Sequence, residues 1–266
     1  MKRPTPQPGW PSSWISSYDF DCLELGWSGL AGTARATFYR LRFEKALELV
    51  AAYLSPGARV IDIAAAQGNF SLALAERGYE VTWNDLREEL AGYVALKHDS
   101  GNIRYVAGNA FELNERGFDG ALIAEIIEHV AHPDAFLAKV AELVRPGGYI
   151  FLTTPNGAYI RNTLPRFSDC PDPRIFEGIQ FKPDSNGHIF LLYRDELCSF
   201  AERSGLDVER LEFFANPLTS GHMKLASLHR LVPHGAIMTM EAATQRLPMA
   251  LSERLASQMI ACFRKR

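Results

Sequence analysis

The feature that most constrains the fold of this chain is a short β-branched run that ends in a tight turn of small residues. The run Arg59–Ile63 follows a Pro-Gly turn, and residues 64–68 lead into a helical pattern over 70–77. Strand and helix patterns continue to alternate up to residue 153. Such alternation predicts an α/β fold in which a mostly parallel sheet is covered by helices on both faces and the loops after the strands share one edge.

The remaining segments are less regular. Residues 1–20 are rich in proline and predict an extended arm rather than a helix, and a helix over 33–54 leads into the core. Residues 156–187 carry four prolines, with Pro155 directly before them, and predict a long irregular excursion, and residues 216–255 predict a helical cap. Between and after these segments, the patterns predict a helix over 194–204 and strands over 207–214 and 258–263.

The overall charge of the chain is unremarkable. It has 28 Lys and Arg residues against 31 Asp and Glu residues, a formal net charge of -3, which gives no general attraction to nucleic acid or to anionic membranes. No segment approaches the roughly 20 apolar residues of a membrane span, and prolines interrupt the N-terminus where a signal peptide needs an apolar core. Four widely spaced cysteines favour a reducing compartment, so a cytoplasmic location is expected.

The turn after the first strand has the place of a nucleotide-binding loop. Ala64 and Ala66 stand where dinucleotide-binding enzymes have glycines, and their methyl groups would hold a pyrophosphate away from the backbone. Asp85, at the end of the second strand, is spaced to accept hydrogen bonds from ribose hydroxyls. Capping of the following helix is the alternative role for Asp85.

Motifs along most of the chain resemble those of class I S-adenosylmethionine-dependent methyltransferases, and in particular the ubiquinone-biosynthesis type of O-methyltransferase. They are residues 62–68, Asp85, Gly108-Asn109-Ala110-Phe111, Phe118-Asp119, Glu125-Ile126-Ile127-Glu128-His129-Val130, 143–148 and Thr154-Pro155-Asn156. The resemblance implies a doubly wound, Rossmann-like sheet of seven strands with an antiparallel C-terminal hairpin and a helical cap. The expected domain division is an N-terminal arm and lid helix over 1–45 and a methyltransferase domain over 46–266 with cap insertions near 156–187 and 216–255.

The resemblance further implies S-adenosylmethionine as cofactor and a set of residues that hold it. Ala64 and Gly68 would line the methionine part, Asp85 would bind the ribose, and residues 109–111 would surround the adenine. Asn109 stands where the family commonly has aspartate, and its carbonyl oxygen can still accept from the adenine amino group. The complete set is Asp62, Ala64, Gly68, Asp85, Leu86, Asn109, Ala110, Phe111 and Glu125.

An acid-histidine cluster follows the fourth strand. If a helical turn begins at Glu125, then Glu125, Glu128 and His129 share one face, and two carboxylates with an imidazole suit Mg²⁺ or another divalent cation. His188 would complete a set that resembles the metal sites of ubiquinone-pathway O-methyltransferases and of small-RNA 2′-O-methyltransferases. Two alternatives stay open, a metal-free general base and a structural histidine at position 129.

The expected reaction is methyl transfer to a small-molecule acceptor, with a hydroxyl oxygen favoured because such an acceptor needs a base such as His129 or a metal. Three alternatives stay open: an RNA 2′-O-methyltransferase, an NAD-dependent oxidoreductase on the same fold, and a non-catalytic domain. On the helix before the first strand, Tyr39, Arg40 and Arg42 either form a solvated face or, as in the ubiquinone-pathway relatives, supply an arginine to the cofactor carboxylate.

Overall fold

The computed structural model describes residues 1–27, 32–180 and 187–266, and within them seven strands form one sheet. The strands are β1 (Arg59–Ile63), β2 (Glu80–Asp85), β3 (Asn102–Ala107), β4 (Phe118–Ala124), β5 (Val144–Pro155), β6 (Leu206–Phe214) and β7 (Gln258–Lys265). Their spatial order is β3-β2-β1-β4-β5-β7-β6; β7 runs antiparallel to both neighbours, and the other pairs are parallel. The predicted doubly wound sheet with an antiparallel C-terminal hairpin is confirmed.

Helices cover both faces of this sheet. They are α1 (Ser12–Glu24), α2 (Ala34–Tyr53), α3 (Asn69–Glu76), α4 (Glu89–Lys97), α5 (Pro133–Leu143), α6 (Arg194–Arg203), α7 (Pro217–Ser220), α8 (His234–Gln245) and α9 (Met249–Leu255). Because neighbouring strand residues point to opposite faces, Ile61 packs into one core with α5 and α6, while Val60 packs into another with α2 and α3. Among the described helices, none is both long and apolar enough to cross a bilayer.

The cap segments follow the predicted division into an irregular and a helical part. Residues 156–180 contain only short 3₁₀ helices, and residues 181–186 of the predicted excursion lie outside the described residues. Residues 216–255 are mostly helical, as expected for the cap. Buried Glu241 anchors this cap, because its two carboxylate oxygens accept from the backbone amides of Ala215 (2.8 Å) and Asn216 (2.9 Å).

The N-terminal segment differs from the prediction. An extended arm was expected over residues 1–20, and that expectation is wrong for α1. The prolines stop at Pro11, which precedes the first helical residue and needs no helical N–H. Tertiary contacts then hold α1 in place: the Trp14 indole donates to the Glu89 carbonyl (2.8 Å), and buried Asp21 pairs with buried Lys97 (2.7 Å).

Candidate functional site

Two cavities open along the edge where the parallel strands end. The β4-side cavity, of about 790 Å³, is lined by residues that include Asp62, Glu125, Glu128, His129 and His188. The β2-side cavity, of about 700 Å³, is lined by residues that include Asp85, Leu86, Asn109, Ala110 and Phe111. Ala64, Arg87, Ile126 and His129 line both cavities, so the two spaces meet at the ends of β1 and β4.

The turn after β1 keeps a glycine-like backbone without the glycines. Ala64 (φ 56°) and Ala66 (φ 47°) both adopt the left-handed conformation, which costs a residue with a side chain about 1–2 kcal/mol. Gly68 (φ 73°) caps α3, and a Cβ atom there would lie 2.6 Å from Val94 Cγ1. Ala64 lines both cavities, whereas Gly68 is outside the lining of both and lies where α3 packs on α4.

Asp62 lies on β1, beneath this turn. Its carboxylate is buried and accepts a hydrogen bond from the Ser71 hydroxyl at 2.6 Å. Burial raises the pKa of Asp62 to about 7, because an ionised carboxylate is poorly solvated there. The hydrogen bond to Ser71 ties β1 to α3 and fixes the start of the cofactor-type loop.

Asp85 ends β2 and is 3% exposed. The Ala66 amide donates to Asp85 Oδ2 (2.8 Å), and the Arg87 amide donates to Oδ1 (2.9 Å). Asp85 thus stabilises the start of the loop between β2 and α4, while the N-cap of α4 is Glu88. Capping of α4, the alternative role for Asp85, is therefore not observed, and Asp85 lines the β2-side cavity.

The far wall of the β2-side cavity is formed by residues 109–111. Asn109 Oδ1 accepts from the Phe111 amide (3.1 Å), and its Nδ2 donates to Glu112 (2.9 Å). Phe111 packs edge-on against Phe136 at 5.5 Å between ring centroids. These contacts give the cavity an aromatic wall beside an amide side chain, a combination suited to a nucleobase.

The turn after β4 does not form the helical turn that the sequence predicts. Glu125 is in the left-handed region (φ 55°), and only Ile127–His129 form a short 3₁₀ helix. The Glu125 carboxylate points to Arg42 Nη1 (3.2 Å), and Arg42 Nη2 donates to Glu24 (3.0 Å). Glu125 therefore leaves the face of Glu128 and His129, because the positive φ turns its side chain toward α2.

Glu128, His129 and His188 do come together. One ligand atom from each residue lies within 4.8 Å of the others, and the imidazole centroids are 5.0 Å apart. His129 Nδ1 lies 3.2 Å from the Gly187 carbonyl, which can only accept, so Nδ1 carries the proton and Nε2 carries the lone pair of the neutral imidazole. The three side chains thus offer two imidazole nitrogens and a carboxylate to one small volume.

The buried carboxylate of this cluster is incompletely hydrogen-bonded. Glu128 Oε2 accepts from the Thr154 hydroxyl (3.0 Å), whereas Oε1 is buried without a partner among the described residues. Burial, reinforced by the nearby Glu125 carboxylate, raises the pKa of Glu128 well above its usual range. Burial also lowers the pKa of His129 and of His188, which favours neutral imidazoles.

Several residues of the β4-side cavity escaped the sequence analysis. Phe20 and Glu24 come from α1, and Tyr159 contacts His222 through a 3.0 Å hydrogen bond between its hydroxyl and His222 Nδ1. Of the three residues proposed on α2, Tyr39 and Arg42 line the cavity, and Arg42 is buried rather than solvated. The tertiary contacts that bring these side chains to the site leave no local sequence pattern.

Comparison with known proteins gives a family. Residues 34–211 match the model of a methyltransferase domain. A ubiquinone biosynthesis O-methyltransferase from Sinorhizobium fredii is 33% identical over 171 residues, which are 62% of this chain and 66% of that protein. A protein of the same name from Aromatoleum aromaticum is 30% identical over 61% of this chain and 70% of its own length. The chain spans just under two thirds of the first of these relatives.

A solved structure shows the same fold. Magnesium protoporphyrin IX methyltransferase from Synechocystis, with bound S-adenosylhomocysteine, superposes with a TM-score of 0.56 at 13% identity, and the match covers 95% of this chain and 96% of that chain. Neither the NAD-dependent oxidoreductase nor the RNA 2′-O-methyltransferase finds support in these matches.

Proposed function

Because this chain belongs to the methyltransferase domain family, we propose that it transfers a methyl group from S-adenosylmethionine to a hydroxyl oxygen of a small-molecule acceptor. The observation that carries the proposal is the meeting of the two cavities at His129. One cavity ends at Asp85 and an aromatic wall, and the other holds the cluster of Glu128, His129 and His188. A cytoplasmic location is part of the same proposal.

The β2-side cavity fits the adenosine part of the donor. Asp85 offers a carboxylate to the ribose diol, and Leu86, 55% exposed, offers an apolar surface to the base beside Phe111. The methionine part would then extend past Ala64 toward Asp62 and Glu125 in the β4-side cavity. No pyrophosphate has to approach the alanine methyl groups, which suits this donor better than a dinucleotide.

The acid-histidine cluster supports an oxygen acceptor. Transfer to a hydroxyl forms an oxygen–carbon bond, breaks the sulfur–carbon bond and releases the hydroxyl proton, which a neutral imidazole such as His129 Nε2 can accept. Holding the acceptor oxygen in line with the methyl group supplies much of the remaining acceleration. His129 therefore has a role as base, and the cavity walls have a role in orientation.

The same cluster fits a divalent cation. Glu128 Oε1, buried without a hydrogen-bond partner in the part of the chain that the structure describes, and two neutral imidazoles are suitable ligands for a cation, whereas Glu125 pairs with Arg42. Glu128, His129 and His188 would hold the ion; because two of these ligands are imidazoles, the set moves the preference from Mg²⁺ toward Mn²⁺ or a later first-row ion. A bound divalent ion lowers the pKa of an acceptor hydroxyl.

Calorimetric titration tests the cofactor. We expect S-adenosylhomocysteine to bind and NADH to leave the heat signal unchanged, and Asp85→Ala should weaken S-adenosylhomocysteine binding at least tenfold, by about 1.4 kcal/mol or more. Methyl transfer to catechol, a minimal hydroxyl acceptor, is then followed with radiolabelled donor. Binding of NADH in place of S-adenosylhomocysteine would contradict the proposed function.

The metal is tested with the apoprotein after chelation. Mn²⁺ titration should give one binding event that Glu128→Gln and His188→Ala abolish, while Glu142→Gln, an exposed acid on α5, retains it. Restored methyl transfer with Mn²⁺, and less with Mg²⁺, is the expected result. Full methyl transfer in excess chelator would assign His129 to metal-free base catalysis instead.

A further inference from the structure

Asp85 forms a bidentate ion pair with Arg87, two residues further along the chain. Arg87 Nε donates to Asp85 Oδ1 at 2.9 Å, and Arg87 Nη2 donates to Oδ2 at 3.1 Å. The carboxylate side chain is 4% exposed, whereas the arginine side chain is 41% exposed. Arg87 is one of the residues that line both cavities.

The hydrogen bonds of Asp85 are divided evenly between backbone and guanidinium. Each oxygen accepts one backbone amide, from Ala66 on Oδ2 and from Arg87 on Oδ1, and each accepts one guanidinium N–H. A carboxylate oxygen has two lone pairs, so the four sites are occupied. The backbone amides fix the orientation of the carboxylate, and the guanidinium takes the one remaining site on each oxygen.

We propose that Arg87 stands in for the ribose diol of the cofactor and sets the cofactor affinity of this enzyme by having to leave Asp85 when the cofactor binds. A ribose diol brings two hydroxyl donors, one for each carboxylate oxygen, and these need the two sites that the guanidinium occupies. Each ribose hydroxyl would therefore replace one guanidinium hydrogen bond to Asp85. This inference rests on the proposed use of S-adenosylmethionine.

A second pair of the same kind, in which both Nε and Nη2 of an arginine donate to the carboxylate two residues earlier, supplies a control; we call this arrangement a fork. Arg174 Nε and Nη2 donate to Asp172 Oδ1 (2.8 Å) and Oδ2 (3.0 Å), and the Arg174 amide donates to Oδ1 (3.1 Å). The spacing and the pattern match those of Asp85 and Arg87. Asp172 is 43% exposed, however, and neither residue lines the two cavities. A fork therefore forms from local sequence spacing alone, and Arg87 has a role in binding only because its fork lies at the β2-side cavity.

The test is calorimetric titration of S-adenosylhomocysteine into wild type, Arg87→Ala, Arg174→Ala, Asp85→Asn and the double variant of Asp85→Asn with Arg87→Ala. We expect Arg87→Ala to bind about two- to fivefold more tightly than wild type, because an ion pair whose arginine is 41% exposed is weakened by solvent and limits the gain. Arg174→Ala should bind as wild type does. In the Asp85→Asn background, Arg87→Ala should not increase the affinity for S-adenosylhomocysteine, since the carboxylate that pairs with Arg87 is already absent.

The outcomes separate this inference from the proposed function. If wild type binds S-adenosylhomocysteine and Arg87→Ala binds it equally or more weakly, Arg87 does not compete with the ribose and the inference fails alone. A gain of the same size in the Asp85→Asn background would also overturn it. If neither wild type nor Arg87→Ala binds S-adenosylhomocysteine, both proposals fail. Thermal denaturation of the free proteins checks that each variant is folded.

Discussion

The turn after β1 and the turn after β4 both place a residue with a side chain in the left-handed region directly after the strand, Ala64 at φ 56° and Glu125 at φ 55°. Each turn is also associated with a buried carboxylate that accepts from one hydroxyl. Asp62 accepts from Ser71 at 2.6 Å, and Glu128 accepts from Thr154 at 3.0 Å. The ends of β1 and β4, which are neighbours in the sheet, thus share a left-handed residue and a buried carboxylate.

They differ in what they present to the cavities. The β1 turn carries three consecutive alanines, and the Ala66 backbone amide donates to Asp85. The β4 turn presents side chains, with an orphaned Glu128 oxygen beside His129 and His188. The first turn is therefore suited to holding a cofactor by shape, and the second is suited to chemistry with charge and protons.

A buried polar chain connects the two turns through α1. Asn69, the first residue of α3, donates to Asp21 (2.7 Å) and to Glu24 (2.8 Å), and Glu24 accepts from Arg42, which also pairs with Glu125. The backbone after β1 and the side chain after β4 are thus held by one network. If these hydrogen bonds and ion pairs contribute nothing to the free energy of unfolding, the two turns are independent of each other.

The largest expected effect is that of Arg42→Met. The Arg42 side chain is 9% exposed and lies between two carboxylates, so its removal leaves buried negative charge without its positively charged partner. We expect the free energy of unfolding in urea to fall by about 3–5 kcal/mol. Arg35→Met on the exposed side of the same helix is the control, with a loss below about 1 kcal/mol. Equal losses in the two variants would show that Arg42 does not link the turns.

The sequence predicted the parts of this design that local patterns encode. The strand ends, the small-residue turn after β1 and the meeting of Glu128 with His129 and His188 follow from strand and helix periodicity or from the family resemblance. The same patterns place Asp85 at the edge of the sheet, because parallel strands end together.

The rest depends on contacts between distant residues. Helix α1 forms after a proline-rich stretch because Asp21 meets Lys97, 76 residues away, and no local propensity encodes that pairing. The helical turn predicted at Glu125 fails for a related reason. Arg42 and Gln258 lie beside the Glu125 carboxylate, with Gln258 Nε2 donating to Glu125 Oε2 at 3.4 Å, and they belong to α2 and β7.

A pH series on Asp62→Asn sharpens the contrast between the two buried carboxylates. The pKa of Asp62 is raised to about 7 in the folded protein, above that of the unfolded chain, so the folded state favours the protonated form. Its stabilisation is complete below about pH 4 and is lost as the pH rises to about 7. The free energy of unfolding of Asp62→Asn, measured against wild type, should therefore improve by about 2–4 kcal/mol between pH 4 and pH 8. A difference that is constant with pH would mean that Asp62 is ionised throughout.

The smallest effects compare glycine at the two left-handed positions. Ala64→Gly removes a left-handed penalty of about 1–2 kcal/mol and adds the chain entropy of glycine, so we expect a net stabilisation of about 0.5–1 kcal/mol in urea. Glu125→Gly gains the same backbone relief but leaves Arg42 with one partner fewer, and we expect a net loss of about 1–2 kcal/mol.

The matched control for this pair is Ala65→Gly, in the same turn but outside the left-handed positions, which should lose about 0.5–1 kcal/mol because glycine adds entropy to the unfolded chain without relieving strain. Opposite signs for Ala64→Gly and Glu125→Gly would mean that the two turns share a backbone and diverge through their side chains. If Ala64→Gly and Glu125→Gly both stabilise the protein, Glu125 contributes only backbone strain, and the Arg42 guanidinium does not need the Glu125 carboxylate as a partner.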